Sequence, residues 1–181
     1  MTTTTTTHGS SGLPVLEHYV GGAASAGTST RTGPVYDPAL GEQTKSVRLA
    51  SAGDVDAAVA VAKAAFAGPR GWGSSSTAKR QQVMFAFREL VNARKDELAA
   101  ILTSEHGKVL SDAAGEVARG LEVVEFACGM PHLTKGSYSE NVSTDVDVYS
   151  LKQALGVVGV ISPFNFPAMV PMWMFPNAVA C

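Results

Sequence analysis

Apolar positions change their spacing several times along the chain, and each change marks an element. Leu16-Glu17-His18-Tyr19-Val20-Gly21-Gly22 and Gly33-Pro34-Val35-Tyr36 read as short β-strands, and Asp37-Pro38-Ala39-Leu40-Gly41 has the residues of a turn. From Ser51 the spacing becomes helical. Asp54 is placed to cap a helix on which Val55, Val59, Ala62 and Phe66 recur at i, i+4, i+7 and i+11, and Gly68-Pro69 ends it. A single longer helix is predicted from about Thr77 to about Ser104, with Val83, Phe87, Leu90, Val91, Leu98, Ile101 and Leu102 on one face and Gly107 as its stop. Arg94 falls within that stripe, so it must snorkel or find a partner. The next helix, from about Ser111 to Cys128, has two apolar faces: Val117, Leu121, Val124 and Cys128 form one, and Val123 and Phe126 share the other with Arg119. Packing on both sides is the expectation.

Between Asn141 and Lys152 the period drops to two, which predicts one half-exposed strand at a sheet edge. Leu155-Gly156-Val157-Val158-Gly159-Val160-Ile161 is a continuous apolar run, the pattern of a parallel strand covered on both faces. A loop, Ser162-Pro163-Phe164-Asn165-Phe166, follows, and Pro167 suits the first turn of a helix that Pro171 and Pro176 constrain. A parallel sheet needs a second strand, and none follows before Cys181, so the sequence is expected to be incomplete. Met169, Met172, Trp173 and Met174 are expected to be core, and Glu105 with Lys108 to lie at a solvated helix end. The fold class is α/β, with helices and a small sheet leading into the first strand of a parallel, Rossmann-like sheet.

Composition narrows the possible partners. Fourteen Lys and Arg against sixteen Asp and Glu, without a basic run, argue against nucleic acid or an anionic membrane surface and favour small molecules. Met1 to Gly12, mostly Thr, Ser and Gly, has neither the charged nor the apolar region of a secretory signal and reads as a disordered tail. Cys128 and Cys181 are not at metal-ligand spacing, so no metal site is expected, and a reducing, cytoplasmic setting fits. Cys128 reads as a buried apolar thiol.

The segment Gly159 to Pro167 is strand, loop and helix start, where an open α/β sheet places its ligands. The glycine-rich nucleotide fingerprints are absent after this strand. On its own, Asn165 could equally cap the next helix or stabilise the turn. Arg119 could pair within its helix with Glu116 or Glu122, at i−3 and i+3.

The string Phe164-Asn165-Phe166-Pro167-Ala168-Met169-Val170-Pro171-Met172-Trp173-Met174-Phe175-Pro176 resembles the aldehyde dehydrogenase superfamily, and the CoA-acylating methylmalonate-semialdehyde branch in particular. The resemblance extends to Asp37-Pro38-Ala39-Leu40-Gly41-Glu42, to Glu105-His106-Gly107-Lys108 and to Gly115 through Ala127, which is nearly everything after about Leu13. Ala154 departs from it, standing where a Pro is usual, as do Asp37 and Leu40 where Asn and Thr are usual.

The resemblance implies an enzyme in which a cysteine thiolate attacks methylmalonate or malonate semialdehyde, NAD takes the hydride, and coenzyme A as co-substrate takes the acyl group from the thioester. Asn165 matches the oxyanion donor, Ser162, Pro163 and Phe164 match positions along the cofactor cleft, and Arg119 matches an Arg for the substrate carboxylate. Residues 13–140 then belong to the cofactor-binding domain, 141–153 to an oligomerisation arm of a dimer or tetramer, and 154–181 to the start of the NAD-binding sheet. The nucleophilic Cys, the general-base Glu and the ribose-binding Lys would lie beyond Cys181, leaving the chain inactive alone. The alternatives are a non-acylating dehydrogenase that hydrolyses its thioester, and an inert assembly module.

Overall fold

The computed structural model describes residues 12–181 and, before them, only the strand Thr7–His8. The rest of the tail expected at residues 1–12 lies outside the described residues. The described residues up to Arg48 are largely β-structure. Strand β1 (Thr7–His8) pairs antiparallel with β2 (Pro14–Leu16), and β3 (His18–Val20) and β4 (Ala23–Ser25) form a separate hairpin. Strands β5 (Thr32–Asp37) and β6 (Glu42–Arg48) pair antiparallel, and β6 also runs parallel to β2, giving a sheet in the order β1-β2-β6-β5. The predicted turn joins β5 to β6: Asp37 accepts the amides of Ala39 and Leu40 on its carboxylate and that of Gly41 on its carbonyl. Two corrections apply here. The predicted strand from Leu16 to Gly22 is divided between β2 and β3, and β6 had no alternating pattern to announce it.

Helix α1 (Ala52–Phe66) begins at Ser51, which accepts the Asp54 amide while Asp54 accepts that of Ser51. Asp54 therefore completes a capping box and is not itself the cap. No residue of α1 is buried, so its apolar stripe has little to cover it within this chain.

The predicted long helix is two: α2 (Thr77–Ala93) and α3 (Lys95–His106) meet at Arg94. Arg94 leaves helical geometry (φ −115°, ψ 16°) and is exposed at the joint, so it neither snorkels along an apolar stripe nor lies inside one. Gly107 ends α3 with φ 83°, a left-handed conformation that glycine adopts without strain. Helix α4 (Leu110–Cys128) is followed by the short α5 (Met130–Leu133).

Helix α4 is the centre of the molecule, packed by α2, α3 and the last helix, α6 (Met169–Ala180). Its face of Val117, Leu121, Val124 and Cys128 is buried as predicted. The opposite face is not: Arg119 is exposed, Val123 is half-buried and Phe126 is 57% exposed, so α4 is covered on one side only. Gly120 admits α6, because a Cβ there would fall 2.4 Å from Met172 Cε. Met169 and Met172 are core as expected, whereas Trp173 is 46% exposed.

The strand expected between Asn141 and Lys152 is the second half of a hairpin, β7 (Tyr138–Ser143) with β8 (Val146–Tyr149), whose side chains are all exposed. The predicted parallel strand at Leu155–Ile161 does not form. Among the described residues, the backbone of residues 151–164 makes no hydrogen bond, and Leu155 and Ile161 are 96% and 98% exposed. A strand, unlike a helix, has no partner for its own amides, and no neighbouring strand is offered here. None of the helices among the described residues is long and apolar enough to cross a membrane.

Candidate functional site

The corner between α3 and α4 faces the loop that leads into α6, and a cleft of about 520 Å³ lies between them. On α4, Asp112, Gly115 and Arg119 follow one another at i, i+3 and i+7, so all three face this cleft. Opposite stand Asn165 and Phe166, and His106 and Lys108 close the corner. A larger apolar groove of about 1170 Å³ lies elsewhere, between Phe66, Trp72 and residues 152–158, and contains none of the predicted site residues.

Glu116 is the one buried charged residue among those described, and it turns from the cleft into the core. Its Oε1 accepts the amides of Ala168 (2.7 Å) and Met169 (3.1 Å), and its Oε2 accepts Lys108 Nζ (2.5 Å). Helix α6 has no capping side chain of its own, so the carboxylate of a different helix satisfies donors at its start. Burial raises the Glu116 carboxyl, but the Lys108 ammonium and the Met169 and Ala168 amides outweigh it, and the net position is below the ordinary glutamate value.

Lys108 does more than pair. Its Nζ also donates to the Asn165 carbonyl at 3.1 Å and stands 4.6 Å from the centroid of the Phe166 ring. The expectation of a solvated Glu105 and Lys108 is therefore corrected. The side chain of Lys108 is only 11% exposed, and Glu105 forms an ion pair with Lys45 of β6.

The side chain of Asn165 is exposed and makes no hydrogen bond among the described residues, so it neither caps α6 nor closes its own turn. Among the described residues Arg119 likewise has no hydrogen-bond or ion-pair partner: Glu116 is committed to Lys108, and Glu122 forms no ion pair with it. The structure thus brings a free carboxamide and a free guanidinium to one cleft. Phe164 stands just outside it, its ring 5.8 Å from that of His106, while Ser162 and Pro163 are exposed and line neither cavity.

Glu116, a possible partner of Arg119 by spacing, pairs with Lys108 instead. One signal was available: Glu116 falls on the stripe Ala113, Val117, Gly120, Leu121 and Val124, where an acid must be buried with a partner. Cys128 is buried, which pushes its thiol up, and Cys181 Sγ lies 3.7 Å from Met130 Sδ.

Comparisons with known proteins agree with this architecture. The model of the aldehyde dehydrogenase family matches residues 25–181. Malonate-semialdehyde dehydrogenase of Pseudomonas aeruginosa is 43% identical over 169 residues, which are 93% of this chain and 33% of that protein. The mitochondrial acylating methylmalonate-semialdehyde dehydrogenase of Arabidopsis thaliana is 45% identical over 93% of this chain and 27% of its own length. Among solved structures, the methylmalonate-semialdehyde dehydrogenase of Oceanimonas doudoroffii superposes with a TM-score of 0.86 at 44% identity, over 92% of this chain and 33% of that one. The chain spans about a third of the length of such relatives and corresponds to the N-terminal part of their fold. With the family model matched over residues 25–181 and relatives above 40% identity across nine-tenths of its length, the chain belongs to the aldehyde dehydrogenase family.

Proposed function

We propose that this chain contributes one wall of the active site of an NAD-dependent dehydrogenase that converts malonate or methylmalonate semialdehyde to an acyl-CoA. The observation that carries the reading is the pairing, in one cleft, of Arg119 and Asn165, both with unused donors. A semialdehyde of this class bears a carboxylate at one end and an aldehyde at the other. The Arg119 guanidinium can hold the first through two parallel hydrogen bonds, and the Asn165 Nδ2–H can donate to the second.

When a thiol adds to the aldehyde carbon, the carbonyl electron pair moves to oxygen, and a fixed amide donor aimed at that oxygen lowers the barrier. The Asn165 amide is uncharged and carries no competing bond, so it is available for that donation throughout. NAD, when bound, supplies the acceptor for the aldehyde hydride. Ser162, Pro163 and Phe164 would form one side of such a cofactor's cleft by the family likeness, and the backbone from 151 to 164 and the Ser162 hydroxyl make no hydrogen bond within the described residues that would compete. Support for NAD also comes from a structure of Sinorhizobium meliloti, assigned as a methylmalonate-semialdehyde dehydrogenase and complexed with NAD, with a TM-score of 0.87 at 44% identity. Transfer to coenzyme A follows the Arabidopsis relative, which is described as acylating. The exposed hairpin β7–β8 suits an oligomerisation arm, since its edges are open to a second subunit.

The test is made in a full-length protein of the relatives' size that carries this chain. Acyl-CoA and NADH are expected in equal amounts, and free acid formed without coenzyme A would replace this reading with a hydrolytic dehydrogenase. Asn165→Ala is expected to lower kcat by about 10²–10³-fold. Arg119→Ala is expected to raise KM for the semialdehyde while sparing an aldehyde without a carboxylate; equal effects on both would remove Arg119 from substrate recognition. The 181-residue chain alone is expected to form no NADH.

A further inference from the structure

We propose that Lys108 and Glu116 are positioning residues for Asn165, holding the backbone of its loop so that the free amide stands on the wall of the Arg119 cleft. The proposal deepens the reading of Asn165 as an oxyanion donor and rests on it. Because the Asn165 side chain makes no hydrogen bond among the described residues, the place from which its amide reaches into the cleft is set by its backbone. That backbone is held at its own carbonyl and just after it. Lys108 Nζ binds the Asn165 carbonyl at 3.1 Å and sits over the Phe166 ring, and Glu116 binds the amides of Ala168 and Met169.

The two holding groups are joined to each other and nearly closed to water, the Lys108 side chain being 11% exposed and that of Glu116 1%. Glu116 also lies one helical turn before Arg119 on α4, so the loop is referenced to the same rigid element that carries the guanidinium. Substrate-end and carbonyl-end groups are thereby kept in one frame, although they come from segments far apart in the chain. Small errors in such a frame are costly, because a displacement of about 1 Å can lower a rate by roughly 10²-fold.

The experiment follows the Asn165 side-chain amide directly, in the ¹⁵N-labelled 181-residue chain, with its resonance pair assigned by its loss in Asn165→Ala. Lys108→Met keeps the length of the stem and removes the charge and donors. In this variant the Asn165 pair is expected to move or split by more than a linewidth at unchanged helix content. Lys108→Arg, which keeps a cation beside Glu116, is expected to return the pair toward its original position. A folded Lys108→Met chain whose Asn165 pair stays within a linewidth overturns the proposal.

A measurement on the unaltered chain covers the case in which Lys108→Met does not fold. The Glu116 carboxyl and the Asn165 amide are followed through the acid range together with His106 and Asp112, the other acid-range groups beside the cleft, which Lys108 and Arg119 also line. An Asn165 pair that shifts at the Glu116 midpoint supports the proposal, and one that ignores it or follows Asp112 overturns it. The readout is the position of the amide and not turnover. An oxyanion role that fails in the full-length enzyme is therefore a separate result from a loop that Lys108 and Glu116 do not hold.

Discussion

Helix α4 and the segment from residue 155 to 161 are similarly rich in apolar side chains, yet they end in opposite environments. Val117 and Val124 are fully buried, whereas Leu155 and Ile161 are almost wholly exposed. The difference lies in the backbone. A helix satisfies its own amides and needs only a neighbouring surface to bury a face, which α2, α3 and α6 supply. The 155–161 run can leave water only beside another strand, and none pairs with it among the described residues. Apolar content sets how strongly a segment favours burial; hydrogen bonding decides whether burial is open to it.

The contrast can be broken most severely at Glu116. Glu116→Ala leaves the Lys108 ammonium enclosed and two amides at the start of α6 without an acceptor, and a loss of about 3–5 kcal/mol is expected. Urea denaturation followed by circular dichroism reads it directly, and a loss below about 1 kcal/mol would show that water takes over the role of the carboxylate. Val117→Ala, in the packed face alone, is expected to cost roughly 2 kcal/mol by the same measurement, from lost transfer energy and a partly unfilled cavity.

A smaller and graded effect is expected in acid. The folded-state value of Glu116 is lowered, so its stabilising contribution is complete above the unfolded-state value near 4.5 and disappears as pH falls through the lower folded-state one. Glu116→Gln should flatten that part of the stability profile; a profile identical to the unaltered chain's would assign the acid limb to other carboxylates. The smallest effect belongs to the uncovered region. Ile161→Ser is expected to change stability by less than about 0.5 kcal/mol, and a larger loss would mean that the run is packed after all.

The same distinction explains what the sequence discloses. The buried face of α4 is legible because its apolar residues repeat at helical spacing, and the stop at Gly107 because a left-handed cap favours glycine. The break at Arg94 is not legible, since no Gly or Pro marks it. Strands β6 and β7 escape for another reason. Glu42–Arg48 and Tyr138–Ser143 are mostly polar and owe their structure to the strands beside them. At the site, Asn165 and Arg119 could be marked out by their loop, their helix face and a family likeness. The Lys108 link could not, because it joins positions 57 residues apart, whose meeting depends on how α4 and the loop pack.

Helix α6 is grasped at its far end as well. Trp72 Nε1 donates to the Val179 carbonyl at 2.7 Å and Arg80 to that of Cys181 at 2.6 Å, across separations of 107 and 101 residues. Contacts this distant in sequence carry a high loop-closure cost, which favours docking of α6 onto helices that have already formed. As a chain emerging from the ribosome releases this helix after Trp72 and Arg80, vectorial synthesis and docking run in the same order. With Trp72 at one clamp and Trp173 on the helix itself, the two indoles of the chain are a built-in optical probe of that docking.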